Sequence, residues 1–124
     1  MKLQKLSGLY SILKLASDAK IPEWALQSDF FSISKSSEEL SIVCQEKLVP
    51  NNINANKSWS LIKVIGPLDF SLTGILNSIT QPLAEEKISI FAISTFDTDY
   101  LLVKQDRSEK AVAVLKARGF EFVQ

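Results

Sequence analysis

Phe91-Ala-Ile-Ser-Thr-Phe-Asp-Thr-Asp-Tyr-Leu-Leu-Val-Lys-Gln-Asp106 decides the fold. A short apolar run, a polar turn at Thr95-Phe-Asp-Thr98 and a second β-rich run make a hairpin. The same sentence occurs earlier as Phe31-Ser-Ile-Ser-Lys-Ser-Ser-Glu-Glu-Leu-Ser-Ile-Val-Cys-Gln-Glu46. Phe, Ile, Ser, Val and Gln recur in step, and Glu39 overlays Asp99 at an offset of 60. A second pair, Ser11-Ile-Leu-Lys-Leu15 over Ser60-Leu-Ile-Lys-Val64, repeats at an offset of 49. The first copy therefore lacks eleven residues between its matched segments, about the length of one ordinary helix.

Working outward, Trp59 to Ile65 reads as a strand that stops at Gly66-Pro67. Leu72, Ile75, Leu76, Ile79 and Leu83 recur at helical spacing, with Asp69 or Ser71 as N-cap. Pro82 should kink or end that helix, because it has no N–H and its ring meets the previous turn. Ile88–Ser94 and Asp99–Lys104 are the two hairpin strands. Asp106 or Ser108 caps a helix over Glu109–Arg118, Gly119 supplies its left-handed stop, and Phe120–Val123 is a last strand. The order β-α-β-β-α-β is the α+β, ferredoxin-like sandwich. The first half reads as a strand over 9–15, a single helical turn at Pro22-Glu-Trp-Ala-Leu26, strands near 30–34 and 40–45, and an exposed linker over 47–57. The expectation is two related units, a truncated one with its linker over residues 1–56 and a complete one over 57–124.

Composition removes whole classes of function. Fourteen basic and fourteen acidic residues cancel, so the chain lacks the basic footprint of a nucleic-acid binder. Arg107 and Arg118 are the sole arginines, and no phosphate-reading cluster can form from them. With no histidine, His-activated nucleophiles and His-based metal sites are excluded. The single Cys44 rules out an internal disulfide and fits a cytoplasmic setting. No run is long and apolar enough to span a bilayer or to read as a signal peptide. The expectation is a cytoplasmic protein without cofactor or metal, acting on neither nucleic acid nor membrane. The apolar Ile88-Ser-Ile-Phe-Ala-Ile93 lacks the basic neighbours that an RNA-stacking sheet requires.

Gly66-Pro-Leu-Asp-Phe-Ser-Leu-Thr-Gly-Ile75 and Pro82-Leu-Ala-Glu-Glu-Lys-Ile-Ser-Ile-Phe-Ala-Ile-Ser-Thr-Phe-Asp-Thr-Asp-Tyr-Leu-Leu-Val103 resemble small tandem ACT-domain proteins of bacteria. The pattern is also similar to the ACT domains of CASTOR-type cytosolic arginine sensors. Leu40-Ser-Ile-Val-Cys44 and Pro22-Glu-Trp24 extend the likeness into the first half. The resemblance implies a ferredoxin-like fold and a non-catalytic small-molecule sensor, usually for an amino acid, with ligand lying between paired domains. It implies a homodimer or higher homo-oligomer for so short a chain.

An amino acid needs donors for its carboxylate and acceptors for its ammonium. The helix start around Asp69, Ser71, Gly74 and Ile75 offers backbone N–H groups and a positive dipole end. Asp97 and Asp99 flank the hairpin turn and suit an ammonium or guanidinium. By resemblance to the arginine sensors, Ser89, Ile90, Thr95, Phe96 and Asp99 fall at ligand-contacting positions. Plainer roles stand beside these: Asp69 and Ser71 as helix caps, Gly74 as a close-packing glycine, Asp97 and Asp99 as solvated turn residues. Phe70, Phe91, Trp59 and Tyr100 suit the core. The alternative function is a structural or partner-binding ACT-like module that has lost its ligand.

Overall fold

The computed structural model describes residues 1–65 and 74–124. Among them run strands β1 (Lys2–Lys5) and β2 (Tyr10–Leu15), helix α1 (Glu23–Leu26), and strands β3 (Ser32–Lys35), β4 (Leu40–Gln45) and β5 (Asn56–Val64). Helix α2 (Ile75–Glu85), strands β6 (Ile90–Ser94) and β7 (Asp99–Lys104), helix α3 (Gln105–Ala117) and strand β8 (Glu121–Val123) follow. The chain divides into two compact units, one of Met1–Ser7 with Ser60–Gln124 and the other of Gly8–Trp59.

The larger unit is the ferredoxin-like motif β5-α2-β6-β7-α3-β8 with one strand added. β6 pairs β7, β7 pairs β5, and β1 lies between β5 and β8, antiparallel to the first and parallel to the second. The sequence reading has no strand at β1, because Lys2-Leu-Gln-Lys5 offers one apolar anchor among three polar residues. That anchor is decisive here: Leu3 is fully buried with Ile62, Val64, Leu101 and Val103 from the sheet. Ile79 and Leu83 of α2 and Ala111 and Leu115 of α3 close over them. The period-two alternation of the strands and the helical spacing of α2 thus meet in one core.

Three local readings change. Helix α2 continues three residues past Pro82 to Glu85, and the Glu86 N–H bonds the Pro82 carbonyl at 3.3 Å. Helix α3 starts at Gln105, directly after β7, and Ser108 sits inside its first turn rather than capping it. The Ser108 hydroxyl donates to the Gln105 carbonyl at 2.9 Å and receives the Lys5 ammonium at 3.2 Å, so its polar group is satisfied while buried. The stop at Gly119 is as read: its φ is +94°, and the Phe120 N–H closes on the Leu115 carbonyl at 3.1 Å.

In the smaller unit β3-β4-β2 form an antiparallel run that extends to the first residues of β5. Leu13, Leu40, Ile42 and Cys44 meet Ala25 of the one-turn α1. β5 begins at Asn56, inside the expected linker, because a bulge lets Asn56 face Ile12 while Trp59 faces Tyr10. Ser58 takes φ +70° in that bulge, and its N–H is held by the Glu46 carboxylate at 2.8 Å. A left-handed serine is strained where glycine is not. Ser58→Gly is therefore expected to stabilise the protein by about 0.5 kcal/mol, the strain relieved exceeding the added freedom of the unfolded chain. Urea denaturation reads this, and a loss of stability would sink it.

Burial pushes the Cys44 thiol up to about 11. Below about pH 9 both states hold the proton; between about 9 and 11 the unfolded thiol ionises first, so this group's contribution to stability falls as pH rises. Cys44 is expected to stay unmodified by a thiol-specific disulfide reagent at pH 8 in the native protein and to react once unfolded. Prompt native labelling would contradict its burial.

Candidate functional site

The hairpin turn is the best-defined part of the expected site. The Thr95 N–H donates to the Thr98 carbonyl at 2.8 Å, closing a two-residue turn over Phe96 and Asp97. The Thr95 hydroxyl donates to the same carbonyl at 3.0 Å and accepts the Thr98 N–H at 3.3 Å. The buried Thr98 hydroxyl in turn donates to the Val64 carbonyl. That bond fastens the turn beside the end of β5, where the chain departs for α2.

Above this anchor the Ser94 hydroxyl donates to Asp99 Oδ1 at 2.5 Å. Ser94 and Asp99 face each other across the strand pair, and alternation sets them on the same sheet face as Leu101 and Val103. Asp99 is half-buried, Asp97 is exposed, and Phe96 is 78 % exposed at the tip. A carboxylate oriented by one hydroxyl keeps acceptor sites for a cationic group. Sequence reasoning missed Ser94 and Thr98; the signal was there, in hydroxyl residues at fixed positions about a two-residue turn.

The remaining candidates do not all gather there. Asp69 and Ser71 lie outside the described residues. Gly74 precedes α2 with φ +77°, and among the described residues nothing lies within 4 Å of where a Cβ would stand. Glycine is thus required there by backbone conformation, and not by close packing against any described residue. Ile75 packs on the core cluster. Ile90 packs on that cluster too, but it and the exposed Ser89 occupy the opposite end of β6 from the turn.

The smaller unit repeats the turn without the serine–aspartate pair. The Ser36 N–H donates to the Glu39 carbonyl at 2.9 Å, and the Ser36 hydroxyl accepts the Glu39 N–H at 3.3 Å. Ser36 therefore corresponds to Thr95, one step away from the overlay read in the sequence. The positions of Ser94 and Asp99 are taken by Lys35 and Leu40, which pair across β3 and β4. Glu39 is the counterpart of Thr98, not of Asp99.

Residues 54–117, which include the whole hairpin, match the family model of the ACT domain. The chain belongs to the ACT-domain family. An N-terminal-domain family model matches residues 8–52, ahead of that ACT domain. The human cytosolic arginine sensor for mTORC1 subunit 1 is 33% identical over 97 residues, covering 72% of this chain. The bovine protein of that name matches to the same extent. The chain spans 30% of the length of these relatives. An X-ray structure of an Agrobacterium tumefaciens protein is similar to the ACT chain throughout, with 39% identity, a TM-score of 0.93, and coverage of 98% of this chain and 91% of that one. The regulatory subunit of aspartate kinase from Thermus thermophilus shares the fold, with a TM-score of 0.60 at 8% identity, covering 90% and 91% of the two chains. Among the described residues of this ACT protein, no helix is long and apolar enough to cross a membrane.

Proposed function

We propose that this protein is a non-catalytic, cytoplasmic regulatory protein of two tandem ACT-like units that binds a free amino acid at the β6–β7 turn. The observation that carries the reading is the Asp99 carboxylate, oriented by Ser94 at 2.5 Å on a turn fastened to β5 through Thr98. Asp99 and Asp97 accept the cationic end of the ligand. Thr95 and Phe96 border it, and the backbone N–H groups that open α2 at Gly74 and Ile75 receive its carboxylate. Arginine is the first ligand to test, since the curated relatives at 33% identity are arginine sensors. Occupancy would act by differential affinity, favouring one arrangement of a homo-oligomer over another.

A thermal-shift screen of the purified protein against the twenty amino acids and common polyamines tests this directly. A ligand at a hundred times its dissociation constant stabilises one site by about 2.7 kcal/mol, a rise of several degrees. A selective rise is expected. A flat screen would give first place to a partner-binding module without ligand, a reading favoured by Ile21, Leu26 and Phe31, which are 49%, 47% and 40% exposed on the smaller unit.

A further inference from the structure

The hairpin turn of the larger unit carries a bond that its repeat does without. In the smaller unit the Ser36 N–H donates to the Glu39 carbonyl at 2.9 Å, and the Ser36 hydroxyl accepts the Glu39 N–H at 3.3 Å. The Thr95–Thr98 turn makes the same two bonds, at 2.8 and 3.3 Å. Glu39, the counterpart of Thr98, is exposed. A turn of this kind therefore closes without a buried side chain at its last position. Thr98 is buried all the same, and its hydroxyl donates to the Val64 carbonyl. Burying a hydroxyl costs free energy unless it is bonded, and valine would fill the same space without that requirement. What the hydroxyl adds is a fixed position for the turn.

Val64 is a firm point to be fixed to. The peptide group whose carbonyl receives Thr98 is also held at its N–H, since Ile65 donates to the Lys2 carbonyl of β1 at 3.0 Å. The Val64 side chain is fully buried in the cluster on which Ile75, at the opening of α2, also packs. Both ends of the candidate site are thus referred to the end of β5. Asp99 follows Thr98 directly, and Ser94 at 2.5 Å aims its carboxylate. Thr98 decides where that carboxylate stands.

We propose that Thr98 is a positioning residue that selects ligands by length. Its hydroxyl sets the separation between the Asp99 carboxylate and the N–H groups that open α2. Ornithine, lysine and arginine carry the same α-carboxylate but place their cationic ends at different distances from it. A rigid separation rewards the one that spans it, whereas a loose turn accommodates all three and loses the advantage of preorganisation. Thr98 touches no ligand and acts through the backbone of the turn. This inference rests on the amino-acid-binding reading.

Calorimetry of the full chain with arginine, lysine and ornithine tests it. Thr98→Val keeps the shape and removes the donor; Thr98→Ser keeps the donor. Ser108→Ala removes a different buried hydroxyl, in α3, and serves as the control for lost stability alone. The wild type is expected to prefer one of the three. Thr98→Val should bind that ligand about 10-fold more weakly, as a turn in place about a tenth of the time would, and should bring the three affinities together. Thr98→Ala should do the same, whereas Thr98→Ser and Ser108→Ala should keep the preference. Amide exchange gives a readout without ligand: the Thr95 N–H should exchange faster in Thr98→Val than in Ser108→Ala. Unchanged preference in Thr98→Val, equal affinities in the wild type, or a preference lost equally in Ser108→Ala overturns length selection while amino-acid binding stands. Equal exchange rates overturn the anchoring. A wild type that titrates none of the three removes the cationic amino acid as ligand, and length selection with it.

Discussion

Leu101→Ala is expected to cost about 2–5 kcal/mol, the range for emptying a leucine-sized space in a closed core. Leu101 is fully buried among Leu3, Ile62, Val64, Ile79 and Leu83. It comes only two residues after Asp99, so its side chain locks the start of β7 under the helices. A loss of this size lowers the melting temperature on the order of 10 °C. Urea denaturation followed by circular dichroism measures it. A loss under about 1 kcal/mol would mean that the core collapses around the deletion and that β7 is not rigidly seated.

The second large effect concerns ligand. Asp99→Ala is expected to weaken arginine binding about 10- to 100-fold, the equivalent of roughly 1.5–3 kcal/mol for hydrogen bonds to a charged group. The ligand-free protein should melt nearly as the wild type does, because Asp99 is half-buried and its partner Ser94 is exposed. Glu39→Ala is the matched control. The sequence overlay makes Glu39 the counterpart of Asp99, whereas the hydrogen bonds of the two turns make it the counterpart of Thr98. Binding should survive that change. Wild-type affinity in Asp99→Ala would place the ligand elsewhere.

These two residues also mark what the sequence disclosed. The hairpin around Thr95–Thr98, the helix stop at Gly119 and the ferredoxin-like order follow from local chemistry, and local chemistry is what a single sequence carries. β1 was hidden because its stability comes from Leu3 meeting partners about sixty to a hundred residues away. Ser108 looked like a cap because a serine ahead of a helical pattern usually is one. Its hydroxyl instead bonds back within the turn and meets Lys5, a partner no local rule supplies. The one-residue slip between the two turns was equally invisible, since Phe, Ile and Ser align well at the wrong offset. Alternation makes the error consequential, because one step exchanges the faces of a sheet. Of the candidate site, the turn itself was legible; the bond from Ser94 to Asp99 and the anchoring by Thr98 were not, because both depend on the fold.

The β1–β8 pairing also orders events at the ribosome. Leu3 is aligned with Phe122, so β1 waits for a strand that is synthesised long after it. Lys2–Lys5 can pair with β5 earlier, but its other side stays open until Glu121–Val123 appears. Long-range closure of this kind is slow. A nascent chain stalled before residue 121 would therefore present β1 with only one side occupied.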